Sequence, residues 1–469
     1  MRFAKCFLIA GLAATALTPA SGQALRPDQA KFRALYQELV ETNTTLSVGS
    51  CTQAAEQIAT RLKAAGYPDA DLTLFSVPEH PKEGGLVAVL PGTDPKAKAI
   101  LLLAHLDVVE AKREDWTRDP FKLIEENGYF YARGASDDKA MAAIYADTLI
   151  RMKGEKRARR TVKLALTCGE ETNGAFNGAE YLAANKRDLI DAQFALNEGG
   201  GGSVSPDGKP VALALQVSEK ISQNYTLEAT NPGGHSSRPR PDNAIYQIAN
   251  AVTKIQGYTF PVTLDATTTA FLTRSQAVQP ASVAAAMKAL VANPRDAAAA
   301  ALLSKDPLLN STLRTTCVVT LIGGGHAENA LPQRATANVN CRIFPTETVE
   351  ATQAKLTEII GDKGVSIVMK TRRGPPSKPT PLDPAVLGPA EAVAKSMYPG
   401  LPIIPLMSTG ASDSIFLAAA GIPSYGVPGI LYEADWGGIH GLNEHIRVKS
   451  VYDGRDFLYT LIRRYAESK

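Results

Sequence analysis

The chain has 469 residues, of which 45% are apolar and 21% charged, with a formal net charge of +3. That length supports a large buried core and more than one domain, and the composition is that of a globular chain. The near-balanced charge and the lack of any long basic run exclude an electrostatic footprint for nucleic acid.

In chain order, Arg2 and Lys5 precede the apolar run FLIAGLAATAL, followed by Pro19 and the small residues ASGQA. This is the pattern of a secretory signal peptide over residues 1–24, cut after Gly22 or Ala24, and it predicts a periplasmic or secreted mature chain. The run is too short to be a membrane anchor. Cys6 lies ahead of it and is not placed as a lipoprotein acceptor, and no later segment is long and apolar enough to cross a bilayer. Export permits disulfides. Cys51, Cys168, Cys317 and Cys341 contain no C-x-x-C pair, which argues against a cysteine zinc site. Cys317 and Cys341 sit on strand-like runs flanking GGGHAENALPQ, so a bridge between them is open, and geometry decides it.

PDQAKFRALYQELVE and CTQAAEQIATRLKAAG carry helical periodicity, the second closed by Gly66. GLVAVL and AILLLA are short apolar strand runs. DKAMAAIYADTLIRM is helical, TVKLALT a strand, GAEYLAANK a helix and AQFALN a strand. That alternation predicts an α/β fold with a mostly parallel sheet flanked by helices. Near residue 218 the pattern changes. The strand NYTLEAT and the helix NAIYQIANAVTKIQ lead into an alanine-rich helical stretch from Pro280. The strands TTCVVTLIG and RATANVNCRIF and the helix TVEATQAKLTEII follow. The proline-rich RRGPPSKPTPLDP reads as the connection back. The layout is one α/β domain over 25–217 and 376–469 with an α+β unit, 218–375, inserted into it.

In open α/β sheets ligands bind beyond the carboxyl ends of the strands. His105 and Asp107 follow AILLLA, Asp137 and Asp138 follow GYFYARGAS, Glu170 and Glu171 follow TVKLALTC, and Glu198 follows AQFALN. His440 comes after IPSYGVPG and a short loop. Such a crowd of carboxylates repels unless cations sit among them. Two imidazoles with carboxylates make a nitrogen/oxygen set suited to zinc, with cobalt or manganese as alternatives. His105 then ligates metal and Asp107 holds its second ring nitrogen. Singly the pieces are weak: His-x-Asp is common in loops, Asp137-Asp138 before a helix can serve as a cap, and Glu-Glu is usually solvated surface. The ordered set is what carries weight.

With HLDVV, ARGASDDKA, GEETNG, NEGG, GGHSSRP and GGIHGLNEH in place, the chain resembles the dizinc family of aminoacylases, carnosinases, glutamate carboxypeptidases and succinyl-diaminopimelate desuccinylases. It is most similar to the branch with carboxypeptidase S and the secreted N-acyl amino acid synthase/hydrolases. The resemblance spans nearly the whole mature chain. It implies two Zn2+ ions, a ferredoxin-like lid or dimerisation domain as the insertion, and a dipeptide or N-acyl amino acid substrate. By matching motif, Asp137 bridges the metals, His105 and Glu198 complete one, and Glu171 and His440 complete the other. Glu170 is the general base on the attacking water, and Asp107, through its hold on His105, counts with it among the catalytic residues. A cis peptide after Asp137 is also implied.

The resemblance further gives His235 a role across a homodimer, stabilising the oxyanion. It places Asn329, Arg342 and the Gly410 loop of STGASDSIF against the substrate. From the residues alone, His235 reads as a surface-loop histidine and Arg342 equally well as an ion-pair residue. Asn340 stands where many relatives have Asp, a departure shared by the carboxypeptidase S-like branch. His80 reads as a surface turn residue, His445 as part of the helix after His440, and Glu444 as a support for the ligands. The competing readings are a hydrolase of another amide, such as a cell-wall peptide, or an inactive relative kept as a binding domain. Five ligands and a base, all present, argue against the second.

Overall fold

The computed structural model describes residues 25–172, 176–372, 374–427 and 429–469. The proposed signal segment and Asn173 and Gly174 of GEETNG lie outside the described residues. Its organising element is the strand Ile100–His105, every residue of which is buried. Successive side chains leave a strand on opposite faces. Ile100, Leu102 and Ala104 accordingly join one core with Tyr36, Ile58, Ile144 and Phe457, while Leu101 and Leu103 join another with Leu182, Phe416 and Leu417. A strand covered on both faces reads as a continuous apolar run.

Among the described residues this strand lies in a ten-stranded mixed sheet. The order is Leu72–Val77, His80–Leu90, Val162–Thr167, Ile100–His105, Phe194–Asn197, Ser424–Gly426, Pro210–Glu219, Gly201–Val204 and Leu431–Tyr432, with Ile403–Ser408 also on Pro210–Glu219. The central four, from Val162–Thr167 to Ser424–Gly426, are mutually parallel. Their carboxyl ends therefore open on one edge. Helices Pro27–Glu41, Cys51–Ala64, Lys139–Lys153 and Val448–Glu467 contribute to the first core, and Gly178–Asn185 and Ser414–Ala419 to the second. No described helix is long and apolar enough to cross a membrane.

The chain passes from this sheet at Glu219 into the strand Ile221–Thr230, which belongs to a separate antiparallel sheet with Thr316–Gly324, Arg334–Ile343 and Val365–Met369. Helices Ala244–Gly257 and Val349–Ile360 pack on one face of that sheet and close a third core around Tyr225, Ile248, Val339 and Leu356. The alanine-rich stretch forms helices Ala281–Ala292 and Ala297–Leu303, with a small core of their own around Leu272, Met287, Leu290 and Leu313. Helix Ala266–Ser275, although inside the 218–375 segment, lies on the first sheet: Arg274 donates to Glu391 and to the carbonyl of Ile403.

Two disulfides are present among the described residues. Cys317–Cys341 joins adjacent strands in direct register. Cys51–Cys168 ties the first residue of helix Cys51–Ala64 to the end of Val162–Thr167. Sequence reading overlooked that second pair because its members lie 117 residues apart. It also missed the hairpin Gly201–Val204/Pro210–Glu219, although Pro206-Asp207-Gly208 is a turn signal. His445 is not helical: it begins the short strand His445–Arg447, which pairs with Tyr129–Tyr131, and the helix starts at Val448.

Candidate active site

His105 ends its strand with only 3% of its surface exposed. Its Nδ1 is 2.9 Å from the main-chain carbonyl of Asp107. That contact corrects the expected role of the Asp107 carboxylate, which stands 3.7 Å from the ring. The carboxylate instead accepts the backbone N–H groups of Glu170 at 3.3 Å and Glu171 at 2.9 Å. Asp107 thus fixes the imidazole with its backbone and the Glu170-Glu171 loop with its side chain. Gly169, at φ +95°, makes the turn into that loop, where a Cβ would lie 1.9 Å from the Phe176 carbonyl oxygen.

With Nδ1 committed, His105 turns Nε2 toward Asp137 Oδ1 at 3.1 Å and Glu198 Oε2 at 3.8 Å. His440, whose side chain is 53% exposed, places Nε2 2.7 Å from Glu171 Oε1 and 3.2 Å from Asp137 Oδ2. The two oxygens of Asp137 thus face two different histidines. Ligand atoms of His105, Asp137 and Glu198 lie within 4.8 Å of one another, as do those of Asp137, Glu171 and His440, and those of His105, Glu170 and Glu171.

Asp137 does not reach the cluster from a strand end, as the sequence suggested. Tyr129–Tyr131 belongs to a separate three-stranded sheet, and Asp137 is presented by the loop entering helix Lys139–Lys153. The Asp137–Asp138 peptide is cis, and Asp138 makes no side-chain cap to the helix. The loop is held by Glu444, which is fully buried. Glu444 Oε1 accepts the N–H groups of Ser136 (2.7 Å) and Asp137 (3.1 Å); Oε2 accepts that of Gly134 (3.1 Å) and Arg133 Nη1 (2.7 Å). Sequence reading placed Glu444 beside the ligands but could not see that it grips the backbone.

The electrostatics are those of a site built for cations. Burial pushes the Glu170 carboxyl well above the usual range, with the Glu198 charge adding to it, and burial likewise raises Glu198. Burial also opposes ionisation of Asp137, but hydrogen bonds from His105 and His440 hold its carboxyl low. Burial works against a charged His105, yet hydrogen bonds to Asp137 and then Glu198 raise the imidazole well above its ordinary value. Asp137 and Glu171 push His440 up to about 10. Without a cation the imidazoles must carry protons to sit among the acids. Divalent cations replace those protons directly, and the donor set, imidazole nitrogen with carboxylate oxygen, fits them.

Around this cluster, Asn177 donates to the Gly169 carbonyl and to Asp413 Oδ1, and Glu219 accepts from Ser412. These contacts anchor the Gly410 loop, where the Gly410 N–H donates to Ser408 Oγ at 3.0 Å. His235 and Asn329 lie together on the inserted unit: His235 is in register with Ala330, and the Asn329 carbonyl accepts the Ser236 N–H. Both are exposed, and the recorded hydrogen bond of the His235 ring is to Ser237. Arg342, half-buried opposite Ser222 and Thr316, has no carboxylate partner among the described residues, so the ion-pair reading of it does not hold. None of the recorded hydrogen bonds or ion pairs of His235, Asn329, Arg342 or Gly410 reaches the cluster.

A parallel-centred sheet beside which two imidazoles meet the carboxylates of Asp137, Glu170, Glu171 and Glu198 presents the donor set of a metal-dependent hydrolase. The family description Peptidase family M20/M25/M40 matches residues 101–464, and the chain belongs to that family, whose members hydrolyse amide bonds. It is 29% identical over 413 residues to the human N-fatty-acyl-amino acid synthase/hydrolase PM20D1, covering 85% of this chain and 80% of the relative. It is 27% identical to the probable carboxypeptidase S-like 2 of Dictyostelium discoideum, covering 79% of this chain and 72% of that one. Among solved structures, the M20 family metallo-carboxypeptidase Sso-CP2 of Sulfolobus solfataricus superposes with a TM-score of 0.69 at 19% identity, covering 94% of this chain and 100% of that one.

Proposed function

We propose that the chain is an exported two-zinc hydrolase that cleaves the amide of an N-acyl amino acid or a dipeptide bearing a free carboxylate, with Co2+ or Mn2+ as alternative metals. The observation that carries this reading is the division of Asp137, one oxygen toward His105 and the other toward His440. His105 and Glu198 would complete one cation, Glu171 and His440 the other. Bound there, two divalent cations supply the positive charge that acidifies water and polarises an amide carbonyl.

The remaining steps belong to the chain. Glu170, desolvated and held by Asp107 through its amide, takes a proton from the attacking water and returns it to the departing amine nitrogen. Arg342, without an internal partner, and the Gly410 loop receive the substrate carboxylate, and Asn329 and His235 donate to the oxyanion that develops on the carbonyl oxygen.

His235 acts from a second copy. The strand Thr316–Gly324 is an edge of the inserted sheet. It exposes Val318, Leu321 and Ile322 at 60–66% beside Tyr246 at 61%. An apolar edge of that kind favours pairing with its own copy.

The test is activity on a panel of dipeptides and N-acyl amino acids before and after chelation, with zinc restored. Full activity in the stripped protein removes the metal role. Glu170→Ala should keep its metal and lose about 10²–10⁴-fold in turnover; an unaltered rate removes Glu170 as base.

A further inference from the structure

The helical stretch from Pro280 onward plays no part in the chemistry above, yet it walls a groove of about 650 Å3. That is within the size of small-molecule sites. Phe260, Pro261 and Val262 form one apolar side and Ala297, Ala300 and Ala301 the other. Arg314 also lines the groove, with only 6% of its surface exposed. It donates Nη2 to Ser304 Oγ at 3.1 Å, but its Nε has no partner. No carboxylate pairs with it among the described residues. The one acid on the groove wall, Asp296, caps helix Ala297–Leu303 by accepting the Ala299 N–H through Oδ1 and makes no ion pair with Arg314. The groove shares no lining residue with the cation cluster.

A buried guanidinium normally faces a carboxylate, because an uncompensated buried charge is costly. Burial depresses the Arg314 pKa, and no acid offsets it. The counter-charge is therefore missing from the chain itself, and the surroundings state what brings it. A phosphate dianion calls for several cations and polar donors. Here a single buried cation, with Arg295 exposed at the mouth, stands among alkyl and aromatic walls.

We propose that this groove is a second ligand site, separate from the catalytic cluster, which binds a monocarboxylate carrying an apolar chain. The carboxylate meets Arg314 and the chain lies between the Phe260–Val262 segment and the alanine face of helix Ala297–Leu303.

Calorimetric titration of the metal-loaded chain with sodium decanoate tests this, with acetate and decanol as the charge-only and chain-only probes. Decanoate should bind at least tenfold tighter than either. Arg314→Met, which keeps the side chain's bulk, and Ala300→Trp, which fills the groove, should each weaken it at least tenfold while hydrolysis of a short N-acetyl amino acid is unchanged. If Arg314→Met fails to fold, Ala300→Trp alone decides. Equal decanoate binding in the parent and Ala300→Trp overturns the proposal, as does decanol binding as tightly as decanoate. A groove found covered by a second copy in solution overturns it too.

Discussion

Replacing Glu444 by Gln tests the idea that the cation cluster is positioned through the backbone of the Asp137 loop. Each oxygen of Glu444 accepts two donors, Ser136 and Asp137 on one side, Gly134 and Arg133 on the other. An amide in its place presents NH2 to one of those pairs, so two bonds to a charged acceptor are lost and donors confront donors. At about 1.5–3 kcal/mol for each such bond, the cost is about 3–6 kcal/mol. At about 2.1 cal/mol/K of unfolding entropy per residue, this lowers the melting temperature by about 3–6 °C. Asp137 sits one bond from the disturbed amide, so cation affinity should also fall about 10–100-fold, as when an outer support of a metal site is removed. Thermal melts with and without zinc, and zinc titration against a competing chelator, read both effects. A variant that melts with the parent and binds zinc as tightly refutes the argument that Glu444 holds the site.

Lys220 is fully buried and desolvation lowers its pKa from 10.5 to about 7. Between those values the unfolded chain binds the proton and the folded chain does not, so Lys220 makes stability rise with pH from about 7 to 10.5. The difference in unfolding free energy between the parent and Lys220→Met, followed across that window, should slope accordingly; a flat difference contradicts it. If His235 acts across a dimer as proposed, His235→Ala and Glu170→Ala chains should on subunit exchange recover about a quarter of parental activity, since half the dimers would be mixed and each would hold one complete site. No recovery removes His235 as a cross-subunit donor. The disulfides span 117 and 24 residues. Loop-closure entropy assigns them about 5 and about 3.5 kcal/mol, so Cys51→Ala/Cys168→Ala should shift a denaturant midpoint further than Cys317→Ala/Cys341→Ala; the reverse order contradicts the entropic account.

The parts of the fold governed by local periodicity were legible in the residues. Helix Pro27–Glu41 and strand Ile100–His105 fall where their patterns predict, because both are buried along a regular stripe or on both faces. The hairpin strand Pro210–Glu219 was not, since its partner strand Gly201–Val204 begins in a glycine-rich run after Glu198 that carries no strand pattern. In the site, residue types announced themselves but their contacts did not. That Asp107 offers His105 a carbonyl rather than a carboxylate depends on one backbone torsion after a strand end. Asp137 was expected at a sheet edge because YFY reads as a strand, but that strand pairs with the three residues after Glu444, a partner more than 300 positions away. Arg342 was marked only by its motif match, and its neighbours in sequence did not show that no acid among the described residues pairs with it.

The family match begins at residue 101, yet the segment before it reaches into the site at several points. Tyr36 donates to the carbonyl of Ala135, two residues before Asp137. Thr44 bonds the carbonyl of Leu106, next to His105, and the carbonyl of Thr42 receives Lys139 at the start of the following helix. Cys51 fastens the turn that leads to Glu170. Anyone shortening this enzyme to its recognisable core would cut away the brace behind both halves of the reaction centre. A mutational library meant to tune catalysis should therefore sample positions 36–51 as densely as the motifs themselves.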